Sequence, residues 1–501
     1  MMRIRSSWIL VCAGINLILA QYWTMKEYLL VLASSEVSLL IAASVFIASG
    51  SFGYWLAPAG ASPWVPRLAV GVFALHLAMP WMIKAATAVF FRYDVPHLTF
   101  WLAGFGLVVM APLYTVILPM LVEARERVSG TAGAQALVRC YGFELLGALL
   151  GIGVILLVGR SSHVWLLVIY FAVFAVLIGL LFDRPLAALV CLPVALSYGL
   201  LYEPLDRSAA QDLYRNREQD ASLQLLDSAQ SLYNRIDIVT TDDGGLRLLM
   251  NGREYFNPAD LEVFNRYLSG LPSELMPGSR VLIVGTGSMS SVYHASRHAA
   301  SVESVEIDEQ VVRLTRNRFR AFNHLDHVHN WTLHIDDAKH FLGATAQQYD
   351  LIVIDLVPPV YVQTALLFSK EFYELAKRRL SPTGVLSIYT GHVVDKASMA
   401  GTRYSPIATI EAVFPEYLVV SSQAGKNGFV YASSKLPFGR NDVARLLVES
   451  TRVGGETVLT REEVRPLLVG NKATSMDDLG IVMEWAPSAY REPLSRLGNT
   501  P

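Results

Sequence analysis

The chain divides by its pattern of apolar positions. Long apolar runs follow one another through the first 200 residues: Trp8–Trp23, Val37–Ala57, Leu68–Phe91, Leu98–Val122, Tyr141–Val158, Val164–Phe182 and Leu186–Leu201. Most approach the 20 or so residues that a helix needs to cross a bilayer, so the pattern predicts about seven spans, give or take one. Beyond them the period changes. Short apolar strings at Val281–Val284, Val302–Ile307, Trp331–Ile335, Tyr349–Ile354, Val385–Tyr389, Tyr417–Val420 and Phe429–Ala432 predict a seven-stranded sheet. Segments of helical period at Ser291–Ala299, Glu309–Phe322 and Phe368–Leu380 lie among the first five, as in a parallel sheet covered on both faces.

The join between the halves has its own pattern. Glu203–Gln230 is charged, with scattered leucines, and predicts a helical or partly mobile connector. Asn234–Thr240, Leu246–Met250 and Arg253–Phe256 alternate as strands, and Asn251-Gly252 between the last two is a strong hairpin signal. A helix over Pro258–Ser269 follows. The predicted fold class is an N-terminal α-helical transmembrane bundle joined to an α/β domain that a small β meander precedes. The boundaries are 1–202 for the bundle, 203–228 for a linker, 229–280 for the meander lead-in, 281–435 for the α/β domain and 436–501 for an extension.

Chemistry concentrates where the first strand of the α/β domain ends. Val284 runs into Gly285-Thr286-Gly287-Ser288, where the backbone turns with little side chain in the way, and the next strand carries Glu306. That spacing brings a carboxylate onto a nucleotide ribose while the glycines let the backbone approach the ligand. Asp308 suits a helix N-cap. Asp336 and Asp337 end the third strand, and an acid there, Asp337 before Asp336, can accept an adenine amine. Asp355 ends the fourth strand, where ligands of such sheets bind. A carboxylate there can take a proton from an amine nucleophile, and Tyr361 projects from the same loop.

Composition removes several alternatives. The net charge of −2 gives nucleic acid no handle. Cys12, Cys140 and Cys191 have no paired spacing, so neither a disulfide framework nor a zinc site is expected, and no metal is. His324, His327 and His329 read as solvated loop residues. Lys84 and Glu144 fall inside apolar runs, where a charge is costly. They either carry a function, pair with each other or rise to an interface. Gly147 and Gly151 have the spacing of close helix packing.

The order of motifs resembles the spermidine synthase family, and most of all its bacterial branch with a fused multi-span membrane region. The matching residues are Ser231-Leu-Tyr233-Asn234-Arg-Ile236, Met250-Asn-Gly252, Val284–Ser291, Val305–Asp308, Asp336-Asp337-Ala338, Tyr349–Asp355 and Phe368–Tyr373. Asp477-Asp478 with Glu484 resembles a tail segment of that branch. The resemblance implies a Rossmann-like, methyltransferase-type domain that moves an aminopropyl group from decarboxylated S-adenosylmethionine to a diamine. By it Asn234, Gly285, Gly287, Ser288, Glu306, Asp336 and Asp337 hold the donor, while Asp355 and Tyr361 are catalytic. It also implies an amine acceptor, a lipid bilayer around the bundle and a homodimer.

The departures from the family carry weight too. Ser288 stands where the family has an aspartate, Pro358 replaces a second aspartate, Asn234 replaces a glutamine, and Phe264-Asn265-Arg266 replaces tyrosine-histidine-glutamate. Losing a carboxylate about 4 Å from another charge removes roughly 4 kcal/mol of interaction at an intermediate dielectric. Intact S-adenosylmethionine, used for methyl or aminocarboxypropyl transfer or broken down, is therefore the alternative. A non-catalytic membrane sensor is a third. Under alternation of spans Arg3, Arg5, Arg67, Arg125, Arg127, Arg139 and Arg184 share one side, which sets the N-terminus inside and, with seven spans, the C-terminal half outside. A domain that uses an adenosyl nucleoside belongs in the cytoplasm, and an even number of spans, or a weak hold of the charge rule on this chain, would reconcile the two.

Overall fold

The computed structural model describes residues 2–31, 36–55, 64–129, 133–159, 162–242, 244–256, 263–356, 359–391, 399, 403–422, 427–450 and 456–485. Pro258, Pro358 and His392 lie outside the described residues. The chain forms two units, Met1–Gly244 with Met250–Arg253, and Gly245–Leu249 with Glu254–Pro501.

The first unit is helical. Its helices are α1 (Met2–Val31), α2 (Glu36–Trp55), α3 (Trp64–Arg92), α4 (Leu98–Met110), α5 (Pro112–Ser129), α6 (Gly133–Val154), α7 (His163–Phe182) and α8 (Pro185–Glu218). Among the described residues, seven segments are long and apolar enough to cross a bilayer, judged by length and composition. The fourth of them, Trp101–Ala124, runs through the break between α4 and α5. Pro112 begins α5 there, and a proline has no N–H to give the preceding turn. Ser162 caps α7 by accepting from the Trp165 amide at 3.3 Å. Gly147 and Gly151 bring α6 against α1, since a Cβ on Gly147 would overlap the carbonyl of Val11. The connector expected over 203–228 continues as α8 to Glu218 and then enters strand β1 (Gln224–Gln230), which pairs antiparallel with β2 (Arg235–Thr240).

Charged side chains are buried inside this unit and joined into one network. The Lys84 ammonium, fully enclosed on α3, pairs with Glu27 of α1 and, at 2.6 Å, with Asp206 of α8. Asp206 also binds Arg235 of β2 at 2.6 Å, and Arg235 binds Asp237 at 2.7 Å. Tyr202 donates to Glu27 at 2.7 Å, Tyr214 donates to Asp237, and Nε2 of His163 stands 3.7 Å from Glu27. Lys84 and Glu144 therefore do not pair with each other. Glu144 instead meets the Tyr54 hydroxyl at 3.4 Å. Buried ions persist only when paired and hydrogen-bonded, which is how Lys84 is tolerated between apolar helices.

The second unit is built on an eight-stranded sheet. After β3 (Leu246–Met250) and β4 (Arg253–Phe256) come β5 (Arg280–Val284), β6 (Ser301–Glu306), β7 (Trp331–Ile335), β8 (Tyr349–Ile354), β9 (Leu380–Tyr389), β10 (Glu416–Ser422), β11 (Asn427–Ser433) and β12 (Thr457–Thr460). Asn251 and Gly252, between β3 and β4, both take positive φ, at 48° and 74°, as a tight hairpin turn requires. The sheet order is β12-β10-β11-β9-β8-β5-β6-β7. Strands β5 to β9 are parallel, and β10, β11 and β12 pair antiparallel. The eighth strand, β12, comes from the segment expected to be an extension. Only four residues long and half polar, it forms no apolar string of its own and gains its place by pairing with β10. The strand order reverses at β5, which has β6 on one side and β8 on the other. Such a reversal opens a crevice at the carboxyl ends of the strands.

Candidate active site

Ladder hydrogen bonds continue past the ends of β5, β6 and β8 and hold their carboxyl ends together. The Gly285 amide donates to the Val305 carbonyl at 2.9 Å, and the Asp355 amide donates to the Val284 carbonyl at 2.8 Å. Gly285 has φ +80°, and a Cβ there would collide with the carbonyl oxygen of Asp355. Any other residue meets both backbone strain and that oxygen. Gly285→Ala should cost about 1–3 kcal/mol of stability, read as a lowered melting temperature of the purified protein. An unchanged melting temperature would contradict this account of the turn. Around Gly287 there is more room, with Val311 3.3 Å, Tyr255 3.8 Å and the Glu306 carboxylate 4.0 Å from where a Cβ would stand.

The two carboxylates flank this loop and are held differently. Glu306 accepts from the Thr286 amide at 3.1 Å on one oxygen and from the Asp308 amide at 3.0 Å on the other. The Ile307 backbone adds a third hydrogen bond, so about one of the carboxylate's roughly four lone-pair sites is left for a ligand. Burial pushes the Glu306 carboxyl up to about 7, against the pull of these amides. Asp355 accepts a 2.6 Å hydrogen bond from the Ser291 hydroxyl on Oδ2, and burial pushes its carboxyl up to about 6 while that bond pulls it down. Tyr255 of β4 joins them. Burial raises its phenol well above the usual range, and the charges of Asp355 and Glu306 add to the rise.

The remaining expected residues fall in three places. Ser288 lies in the loop, but its hydroxyl accepts from the Ser290 amide at 3.3 Å, at the start of the helix Ser290–Ser296. Its carbonyl accepts from Asn323, which in turn accepts from the Ser290 hydroxyl at 2.6 Å. Asn323 thus pins a loop in which Met289, at φ +61°, holds a left-handed backbone. At the end of β7 the Asp336 amide donates to the Glu306 carbonyl at 3.1 Å, and the Asp336 carboxylate meets His340 at 2.8 Å. Asp337 caps the helix Ala338–Ala344, accepting from the Lys339 amide at 2.8 Å and the His340 amide at 3.1 Å. Both capping bonds fall on Oδ1, so Oδ2 is spared.

Tyr361 stands six residues beyond Asp355 and caps the helix Val362–Leu366, its carbonyl accepting from the Ala365 amide at 2.9 Å. Asn234 belongs to the helical unit, in the turn between β1 and β2, where its side-chain oxygen accepts from Asn251 at 2.8 Å. The structure thus brings Gly285, Gly287, Ser288, Glu306, Asp336 and Asp355 to one strand-end crevice. Sequence reasoning passed over Tyr255, Ser291 and Asn323 there. Tyr255 looked like one more strand residue, and the serine run after Gly287 was the only signal for Ser291.

Comparison with known proteins comes to the same region. Residues 262–437 match the family model described as the spermine/spermidine synthase domain. A polyamine aminopropyltransferase of Lachnoclostridium phytofermentans is 26% identical, over 38% of this chain and 71% of its own length. Polyamine aminopropyltransferase 1 of Streptomyces coelicolor is 26% identical, over 63% of this chain and 62% of its own. The enzyme of that name from Streptococcus uberis is 29% identical, over 31% of this chain and 56% of its own. The last two are therefore matched over less than two thirds of their length. Two solved structures are also similar. A spermidine synthase in complex with the transition-state analogue AdoDATO gives a TM-score of 0.39 at 22% identity, covering 46% of this chain and 80% of that one. The Thermotoga maritima spermidine synthase gives 0.37 at 20% identity, covering 48% and 83%.

Proposed function

Residues 262–437 belong to the spermine/spermidine synthase domain family, a family of transferases, and from that premise we propose that the chain moves an aminopropyl group from decarboxylated S-adenosylmethionine to an amine acceptor. The observation that carries the reading is the pair of differently held carboxylates, Glu306 and Asp355, on either side of the Gly285–Gly287 turn. Glu306 is the acceptor for the ribose hydroxyls, Gly287 leaves the space for the nucleoside, and Oδ2 of Asp337 is free of its cap to take the adenine amine. Asn234 and Tyr361 retain the donor-binding and catalytic assignments that the family resemblance implies.

The donor supplies a carbon made electrophilic by its bond to a sulfonium. The acceptor nitrogen attacks that carbon, the new N–C bond forms as the S–C bond breaks, and the bonding pair stays on sulfur. The proton lost by the amine passes to Asp355. An ionised Asp355 is needed, so the rate should rise with pH through about 6, the value to which burial lifts this carboxyl. Most of the remaining acceleration comes from holding amine and carbon in line.

The helical unit is read as a membrane anchor. Beyond the seven apolar segments, α6, the turn Ile155–Gly159 after it and α8 present Leu149, Leu157, Leu189 and Leu200 outward, which suits lipid on those faces. The second unit then works at the cytoplasmic surface, where its nucleoside is made, which with seven spans sets the N-terminus on the opposite side, against the arginine count. A second reading, use of intact S-adenosylmethionine, draws on Ser288, whose hydroxyl is turned onto the Ser290 amide and brings no negative charge to the loop.

The deciding experiment offers the purified full-length protein in detergent a short linear diamine with either donor, and products are identified by mass spectrometry. An aminopropylated diamine from the decarboxylated donor is expected. Consumption of the intact donor alone would overturn the first reading in favour of the second.

A further inference from the structure

We propose that Ser291 is a positioning residue for Asp355, fixing one carboxylate oxygen so that the other receives the proton of the acceptor. The hydroxyl of Ser291 donates to Oδ2 of Asp355 at 2.6 Å, and the serine is fully enclosed. Ser291 is itself held. Its carbonyl accepts from the hydroxyl of Ser269, also fully enclosed, at 2.9 Å, and the same hydroxyl meets the Asn265 carbonyl at 3.1 Å. A chain of short contacts thus runs from the Arg266–Gly270 turn through Ser291 to the end of β8.

A carboxylate at a strand end rotates about its last bond and presents either oxygen. One donor on Oδ2 selects a rotamer and leaves Oδ1 as the free acceptor, while the charge-assisted bond favours the ionised form. Tyr255 of β4 is the titratable side chain that faces Asp355, whose charge raises its phenol, and Glu306 at the end of β6 acts on it to a lesser degree. The serine acts in the opposite sense to burial. It holds Asp355 ionised at a pH where enclosure alone would protonate it.

The kinetic arm of the test rests on the aminopropyl-transfer reading, and the spectroscopic arm does not. Native full-length protein, Ser291→Ala and Ser291→Thr are compared. Infrared difference titration follows the protonated-carboxyl band that disappears in Asp355→Asn. In Ser291→Ala this band should titrate about one to two pH units higher than in the native protein, and Ser291→Thr should restore it. The acid limb of kcat should move by the same amount, with the loss of rate largest at low pH and KM for the donor little changed.

An unmoved band in Ser291→Ala, or a rate loss equal at every pH, would overturn the proposal. If the native protein transfers nothing, the transfer reading fails, and the infrared shift alone decides for or against Ser291.

Discussion

Asp355→Asn should lower kcat by about 10²–10⁴-fold while leaving affinity for the donor within a few-fold. The substitution is nearly isosteric, and the amide oxygen of asparagine can still accept the Ser291 hydrogen bond, so the end of β8 keeps its shape. What is lost is the ability to take a proton from the attacking amine. The proposed reaction assigns donor binding to Glu306, Gly287 and Asp337, none of which the substitution touches. The acid limb near pH 6 should vanish with the carboxyl that causes it. Steady-state rates across pH, together with calorimetric titration of the donor, check both halves of this. A variant that keeps a tenth of the native kcat would remove Asp355 from the mechanism.

The second large effect lies in the helical unit. Lys84→Met removes the cation shared by Glu27 and Asp206 and leaves Glu27 enclosed with no fixed positive partner. Breaking a buried pair by removing one partner costs about 3–5 kcal/mol, because the remaining charge has lost its water as well as its partner. The folded fraction in detergent should fall accordingly. Adding Glu27→Gln should recover more than half of the loss. Asp206 still has Arg235, and the double variant returns the buried network to the net charge it has in the native protein. Equal stability of the single variant and the native protein would mean that water reaches Lys84. No recovery in the double variant would mean that Lys84 matters through its alkyl packing.

These two regions were legible in the sequence to different degrees. The turn at Gly285, the acid at Glu306 and the acid at Asp355 could be read because each follows an apolar string, and the end of a buried parallel strand is a fixed address. Ser291, Tyr255 and Asn323 could not be. Their part in the crevice depends on how the helix Ser290–Ser296, β4 and the segment after Arg318 come to rest around it, and no local pattern encodes that. The partners of Lys84 were hidden for a related reason. Glu27 lies just past the first apolar run and Asp206 just past the seventh, so neither falls inside a run where a charge would stand out. The structure extends α1 to Val31 and α8 to Glu218, which draws those ends into the interior. Strand β12 was lost because pairing with β10 defines it and composition does not.

The Lys84 network also imposes an order in time. Glu27 leaves the ribosome before Lys84, but Asp206 follows it by 122 residues. At ordinary elongation rates of about 5–20 residues per second, that is roughly 6–24 s during which α3 holds its ammonium against a single carboxylate. The nascent bundle therefore has one temporary bond where the finished protein has two, and β2 with Arg235 and Asp237 closes the set last of all. A ribosome-arrested chain ending at Phe182 should leave Lys84 open to an amine-reactive reagent that the completed protein excludes. Equal labelling of the two would show that Glu27 alone is enough to shelter it.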